Sequence, residues 1–280
     1  MYFQLETYHG RGDLSTHGCA GPIQVSDGPF RSHASSNQLI KAATKLGYVE
    51  LRDAQAFDSP MGFERWTHYI SPEGRRQDIA HTYLRPKLED GRHPNLHVLL
   101  KSKVVRVLFD DNLHANGVEI VPCSGYKPSS PMCVSPMQVI KARKMVVLSS
   151  GALGSPQILE RSRIGDPMVL KQAGLSVLVD LPGVGSGYQD HNAVYCPYKT
   201  NLTPEETLDG LWSGRYAQED ATSKNDPILG WNACDIFGQI RPTETEVAEL
   251  GGSFEKAWSQ DFKNQPNKPF TLIAPVSGYD

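Results

Sequence analysis

Residues 142–165, ARKMVVLSSGALGSPQILERSRIG, constrain the fold of this chain more than any other stretch. Met145-Val146-Val147-Leu148 is a short unbroken apolar run, the pattern of a strand covered on both faces. Ser149 to Gly154 then break it with small residues. Ser155 and Pro156 read as a helix start, with Ser as the N-cap and Pro at the first helical position. Gly151, Ala152 and Ser155 carry so little bulk at the strand's carboxyl end that a ligand's ring or phosphate can approach the backbone there. An ordinary βα turn carries the same pattern, so these residues alone leave a ligand site and a plain connection both open.

The chain has 280 residues, enough for one large or two modest domains. A formal net charge of -3 offers no electrostatic case for binding nucleic acid or an anionic membrane. The apolar runs are each a few residues long, too short for a membrane span. MYFQLETYHG at the start is neither a secretory signal nor an Arg-rich transit peptide. The five cysteines (Cys19, Cys123, Cys133, Cys196 and Cys234) are odd in number and show no CxxC spacing. A zinc site or a disulfide framework is therefore not expected, and a reducing compartment suits them better. Cys19 and Cys234 read as small buried hydrophobes.

Local signals divide the rest. Ile23–Ser26 alternates like a half-buried strand, and Gln38–Leu46 has helical apolar spacing stopped by Gly47. GRRQDIAHTYLRP (74–86) reads as a solvated basic turn, a short helix and a proline stop. Val98–Leu100, Val104–Leu108 and Gly117–Val121 are strand-like, with a turn at Asp110–Asn112. Residues 122–138 are Pro- and Ser-rich and read as a loop. Val177–Val179 is a further strand after a turn at Gly174. Thr243 and Glu246 form a capping box, and a helix from Ser253 aligns Phe254, Ala257, Trp258 and Phe262 on one face. His81, His93, His97 and His114 read as surface or packing residues, and no His and carboxylate cluster has metal spacing.

GALGSPQILERSRIG (151–165) resembles the second signature motif of the glucose–methanol–choline family of flavin oxidoreductases, GALxSPxLLxxSGIG. Agreement holds at Gly151, Ala152, Ser155, Pro156, Ile158, Leu159, Ser162, Ile164 and Gly165. Arg163 departs from it, standing where the family has a Gly just past the helix, a position that often wants φ > 0. DLPGVGSGYQDH (180–191) is similar to a second hallmark, with Tyr188 where Leu or Phe is common. The resemblance runs along the whole chain. It narrows to the fungal alcohol (methanol) oxidase branch through YKTNLTPEETLDG (198–210), DPILGWNACDIFGQIRPTETEVAELG (226–251) and DFKNQPNKP (261–269).

That resemblance implies an α/β (mixed α+β) fold, with a partial FAD-binding Rossmann-like domain interleaved with an antiparallel-sheet substrate domain. Residues 1–90 and 192–280 fall in the substrate domain and 91–191 in the FAD domain. It implies FAD as cofactor, a small primary alcohol and O2 as reactants, and H2O2 as product. Val104 takes the position that holds the adenine of FAD through its backbone. Gly151, Ala152 and Ser155 line a turn near the flavin, and Asp190 and His191 lie near the isoalloxazine edge. His191 is not assigned as the base, because Asp-His pairs also serve as turn residues.

The family's GxGxxG phosphate fingerprint does not occur in these residues. Neither does any segment resembling the His-Asn or His-His pair that takes the substrate proton. The chain is thus expected to be a central piece of a longer enzyme, binding FAD weakly and turning over nothing alone. Relatives form homo-oligomers and are peroxisomal. The targeting tripeptide is absent after SGYD, which leaves the cytoplasm as the other location. Two other readings stand beside this one: a family member with a different alcohol or acceptor, and a non-catalytic remnant that associates with an intact subunit.

Overall fold

The computed structural model describes residues 5–56, 60–123, 136–203, 206–214, 221–222 and 224–278. The chain opens with β1 (Glu6–Tyr8), β2 (Ile23–Val25), α1 (His33–Lys45), β3 (Val49–Leu51), β4 (Gly62–Arg65) and α2 (Arg85–Glu89). It continues through β5 (Ser102–Phe109), β6 (Ala115–Pro122), β7 (Gln138–Lys141), α3 (Gly151–Arg161), β8 (Ile164–Gly165), α4 (Pro167–Gln172) and β9 (Val179–Asp180). The last stretch holds α5 (Asp209–Trp212), β10 (Ile236–Ile240), α6 (Glu244–Glu249), α7 (Gly252–Asp261) and β11 (Thr271–Ile273). Two compact units result, one built from residues 1–95 and 196–280, the other from residues 96–195.

The first unit is organised by a sheet in the order β11-β10-β4-β3. β10 pairs antiparallel with both neighbours, while β3 and β4 run parallel. Apolar positions of α1 at helical spacing, Ile40 and Ala43, meet Phe63 and Ile236 of the sheet, with Leu39, Tyr48 and Ile240 packed around them. Each such side chain removed from water contributes about 1.5–3 kcal/mol. α1 starts at His33 rather than at the expected Gln38. The reason is tertiary: the Ser32 amide donates to Asp235 Oδ2 at 2.9 Å, anchoring the helix start from far along the chain.

Arg31 completes that anchor by donating to the carbonyls of Asp235 and Trp66 and to Asp27 Oδ1. The expected capping box is present, Thr243 Oγ1 accepting from Glu246 N while Glu246 Oε2 accepts from Thr243 N. The apolar face of α7 forms at Phe254, Trp258 and Phe262, while Ala257, expected on it, is exposed. Trp258 is 3% exposed and stacks with Phe262, and the Arg241 guanidinium lies 4.5 Å from its ring. Pro86 does not stop the preceding helix. A π turn at Ala80–Leu84 runs straight into α2, of which Pro86 is the second residue.

The second unit contains the antiparallel meander β5-β6-β7 and the parallel pair β8-β9. α3 packs on β5, and Leu170 of α4 is fully buried. The expected strand Met145–Leu148 is not formed: the segment is without regular structure, and Met145 and Val147 are 72% and 69% exposed. Val98–Leu100 behaves alike. A two-face-buried strand exists only where neighbours supply hydrogen bonds and cover, and no strand among the described residues pairs with either segment.

α3 begins at Gly151, not at Ser155–Pro156; Pro156 is inside the helix, and Ser155 Oγ accepts from Ser150 N at 3.0 Å. Most of the expected loop 122–138 (residues 124–135) lies outside the described residues.

Candidate functional site

Three of the candidate residues gather at one end of α3. The N-cap residue Ser150 makes no side-chain cap hydrogen bond, so the first-turn amides keep their donors without an intrahelical acceptor. Gly151 has φ +79° and open space where a Cβ would stand, and both it and Ala152 are exposed. Free amides at the positive end of an eleven-residue helix suit an electron-rich edge or a phosphate. These residues therefore fit a flavin nucleotide: the turn offers donors and unfilled space rather than a packed contact. Behind it, Gly185 (φ +73°) of the second glycine turn sits against α3, where a Cβ would meet Glu160 Oε1 at 3.2 Å and Pro156 Cβ at 3.7 Å.

Val104 lies half-buried on β5, immediately before an irregularity. The register passes from Val104↔Ile120 to Arg106↔Glu119, which leaves Val105 as an extra residue. Two side chains from the far end of α3 reach this bulge. Arg161 Nε donates to the Val105 carbonyl at 2.7 Å, and the Val107 amide donates to Ser162 Oγ at 2.8 Å. Sequence reasoning identified Ser162 only as a motif match and Arg161 not at all. The one available signal was a serine just past the helix end, four residues after the apolar Ile158.

Asp190 and His191 are exposed, in a segment without regular structure. Asp190 is engaged locally, accepting from Tyr188 Oη at 2.6 Å and from the His191 amide at 2.8 Å. Those hydrogen bonds, Tyr188's first, hold its carboxyl below the usual range. Among the described residues no hydrogen bond joins either of them to the Gly151 turn.

The first unit carries a cleft of about 780 Å³ lined by Ile23, Ile70, Arg76, Ile79, Trp231 and His68 among others. None of Val104, Gly151, Ala152, Ser155, Asp190 or His191 lines it. Its floor exists because Gly74 and Gly230 meet back to back; a Cβ on Gly230 would stand 2.6 Å from Gly74 Cα.

Burial pulls the His68 imidazole down to about 4, its ring hydrogen-bonds the Cys234 backbone, and its buried Nε2 has no partner among the described residues. His17 is the opposite case. It holds Glu6 Oε1 at 2.9 Å and Asp53 Oδ2 at 2.8 Å while stacking on Tyr8 at 3.6 Å. Burial opposes its charge, but the bonds to Asp53 and Glu6 outweigh it and raise the pKa. Both ring nitrogens facing acceptor-only carboxylates make it an imidazolium.

Cys19 is exposed, contrary to expectation, whereas burial pushes the Cys234 thiol up to about 11. Arg75 and Arg76 are solvated, as expected, and Asp78 pairs with His81 instead. No group of three or more potential metal ligands occurs among the described residues. No helix there is long and apolar enough to cross a membrane.

The family model described as GMC oxidoreductase matches residues 4–193. The alcohol oxidase of Candida boidinii is 32% identical over 283 residues, covering 99% of this chain and 41% of that protein. The oxygen-dependent choline dehydrogenase of Cronobacter sakazakii is 31% identical over 198 residues, covering 71% of this chain and 33% of that one. A solved FAD-dependent oxidoreductase from Chaetomium thermophilum superposes with a TM-score of 0.72 at 22% identity, over 99% of this chain and 53% of its own, a likeness of fold. The chain thus spans about two-fifths of the length of the alcohol oxidase it matches.

Proposed function

The chain belongs to the GMC oxidoreductase family, and on that premise we propose that it forms part of an FAD-dependent alcohol oxidase acting on short, methanol-like primary alcohols. The observation that carries the reading is the uncapped, open first turn of α3 at Gly151, inside a match to alcohol oxidase that covers 99% of the chain. Residues 96–195 are the flavin side, and residues 1–95 with 196–280 the substrate side. When bound, FAD supplies the two-electron oxidation of alcohol to aldehyde and is returned by dioxygen with release of hydrogen peroxide.

This chain's own residues bind and orient. The α3 amides at Gly151 and Ala152 offer donors to the flavin, with Ser155 holding the turn through the Ser150 amide. The backbone of Val104 takes the adenine, and Asp190 and His191 lie toward the isoalloxazine edge. No residue here is assigned the proton-accepting role: His191 is solvated, and His68 lines the cleft of the first unit, held neutral by burial. In its family setting the whole enzyme is a peroxisomal homo-oligomer.

Titration of the purified chain with FAD, followed by flavin fluorescence, tests the reading. The expected result is saturable binding in the micromolar range or weaker (about -8 kcal/mol or less in magnitude) and no peroxide from methanol. Absence of any saturable binding sinks the flavin assignment. A stoichiometric flavin spectrum with peroxide release would instead show that the chain suffices alone. The alcohol is tested by placing this chain in the matching part of the Candida boidinii enzyme and following oxygen uptake with methanol, ethanol and choline. A preference for choline, or oxidation without oxygen uptake, replaces the oxidase reading by that of another member of the family.

A further inference from the structure

Two of the expected cofactor contacts of the second unit, Val104 and the Gly151–Ser155 turn, lie at opposite ends of one rigid connection. α3 has eleven residues and is therefore about 16 Å long. Its N-terminal end carries the turn. Its C-terminal end is fastened to β5 at the bulge that directly follows Val104.

The fastening is made of three hydrogen bonds. The Val107 amide donates to Ser162 Oγ at 2.8 Å, and the Ser162 hydroxyl donates onward to the Ile158 carbonyl at 2.6 Å. Arg161 Nε donates to the Val105 carbonyl at 2.7 Å. Ser162 is 3% exposed and Val107 5%, so water does not compete for the hydrogen bond between them. A bulge leaves backbone groups without ladder partners and re-aims the strand. Here α3 supplies the missing partners on both sides of Arg106, which is itself held across the ladder by Glu119 Oε2 at 2.7 Å.

We infer that Ser162 and Arg161 are positioning residues for the nucleotide. By locking the bulge they set the direction in which Val104 presents its peptide edge to the adenine, and they set its spacing from the α3 amides at the flavin end. The inference rests on the reading of Val104 given under the proposed function. Neither side chain touches the cofactor; both act through the β5 backbone. Ser162 suits the task because one short hydroxyl must accept from an amide and donate to a carbonyl at once. Alanine would leave the Val107 N–H buried without an acceptor.

The test compares the wild-type chain with Ser162→Ala, Ser162→Thr and Arg161→Met, using ADP as the probe in calorimetric titration and amide exchange at Val104–Val107 as the second readout. Ser162→Ala is expected to speed exchange at Val107 at least about tenfold and to weaken ADP about tenfold. Arg161→Met should weaken ADP a few-fold without orphaning a donor. Ser162→Thr, which keeps the hydroxyl, should restore affinity to within about threefold of wild type.

Faster exchange with unchanged ADP affinity would overturn the inference, because a merely structural latch behaves that way. Unchanged exchange in Ser162→Ala would also overturn it. A wild-type chain that binds no ADP is a different failure: it removes the reading of Val104 itself, and the positioning role with it.

Discussion

The two units of this chain close themselves to different degrees. In the first, both clusters of buried apolar side chains found among the described residues, around Ile236 and around Trp231, are sealed by elements far apart in sequence. Several buried polar groups there are answered by side chains, Trp231 Nε1 donating to Asp235 Oδ1 at 2.8 Å and the Ala54 amide to Glu64 Oε2 at 2.7 Å, whereas His68 Nε2 and Trp258 Nε1 have no partner among the described residues. The second unit buries Val107, Ile120, Ile158 and Leu170, yet leaves Leu99, Leu100, Met145, Val147, Val194 and Tyr195 in solvent. Both units contain antiparallel and parallel pairings, so the difference lies in the apolar runs that no described strand pairs with. Antiparallel strands such as β5-β6-β7 need only hairpin neighbours, whereas runs like VVL require cover on both faces before burial gains anything.

The largest test of this contrast is a pair of truncations. Ile236→Ala, at a position 2% exposed, should cost the first unit about 2–5 kcal/mol. Val147→Ala, at a position 69% exposed, should cost the second no more than about 0.5 kcal/mol. All four tryptophans (66, 212, 231 and 258) lie in the first unit, so their emission in urea melts reports that unit while amide exchange reports the other. Equal costs in both would break the comparison.

A smaller effect separates the units by pH. His68 is held neutral by burial with a pKa of about 4, so below about 6.5 the unfolded chain binds a proton that the folded one refuses. Stability of the first unit should therefore fall as pH drops from 6.5 toward 4, by up to about 3 kcal/mol. His17 works the other way: its pKa is raised, so its contribution is complete below about 6.5 and is lost as pH rises through the folded value.

Both the Glu6 and Asp53 carboxylates face His17 directly, Tyr8 covers its ring, and Asp13 adds a weaker field. Melting temperatures across pH 4–9 should peak near 6–7 for wild type, and His17→Gln should flatten the alkaline limb alone. The second unit holds no buried histidine among the described residues, so exchange at its amides should show no matching acid limb. A parallel acid loss in both units would remove His68 as its source.

The smallest effect concerns Arg163, whose φ of +70° is a left-handed conformation that costs a non-glycine residue about 1 kcal/mol. Its Nε returns part of that by donating to the Ser176 carbonyl at 3.0 Å. Arg163→Gly should stabilise the β8-β9 pair by about 0.5 kcal/mol, read as slower amide exchange at Val179. Faster exchange would show that the Ser176 contact outweighs the strain.

Much of this molecule was legible beforehand where the signal is local. The capping box at Thr243, the α7 face around Trp258, the hairpin at Asp110–Asn112 and the left-handed demand at Arg163 each depend on residues within a turn or two of one another. The start of α1, the exposed state of Met145–Leu148 and the latch of Ser162 and Arg161 on β5 were not legible, because each is decided by a partner distant in sequence.

The sequence by itself therefore determined the family motifs, the residue types at the α3 turn and the local caps, since those follow from side-chain chemistry at fixed spacing. The tertiary structure alone decided which donors at Gly151 stay free, where the bulge after Val104 falls and what holds it. Free donors, bulges and two-sided burial are properties of what lies opposite a residue in space, and that is set only when the chain has packed.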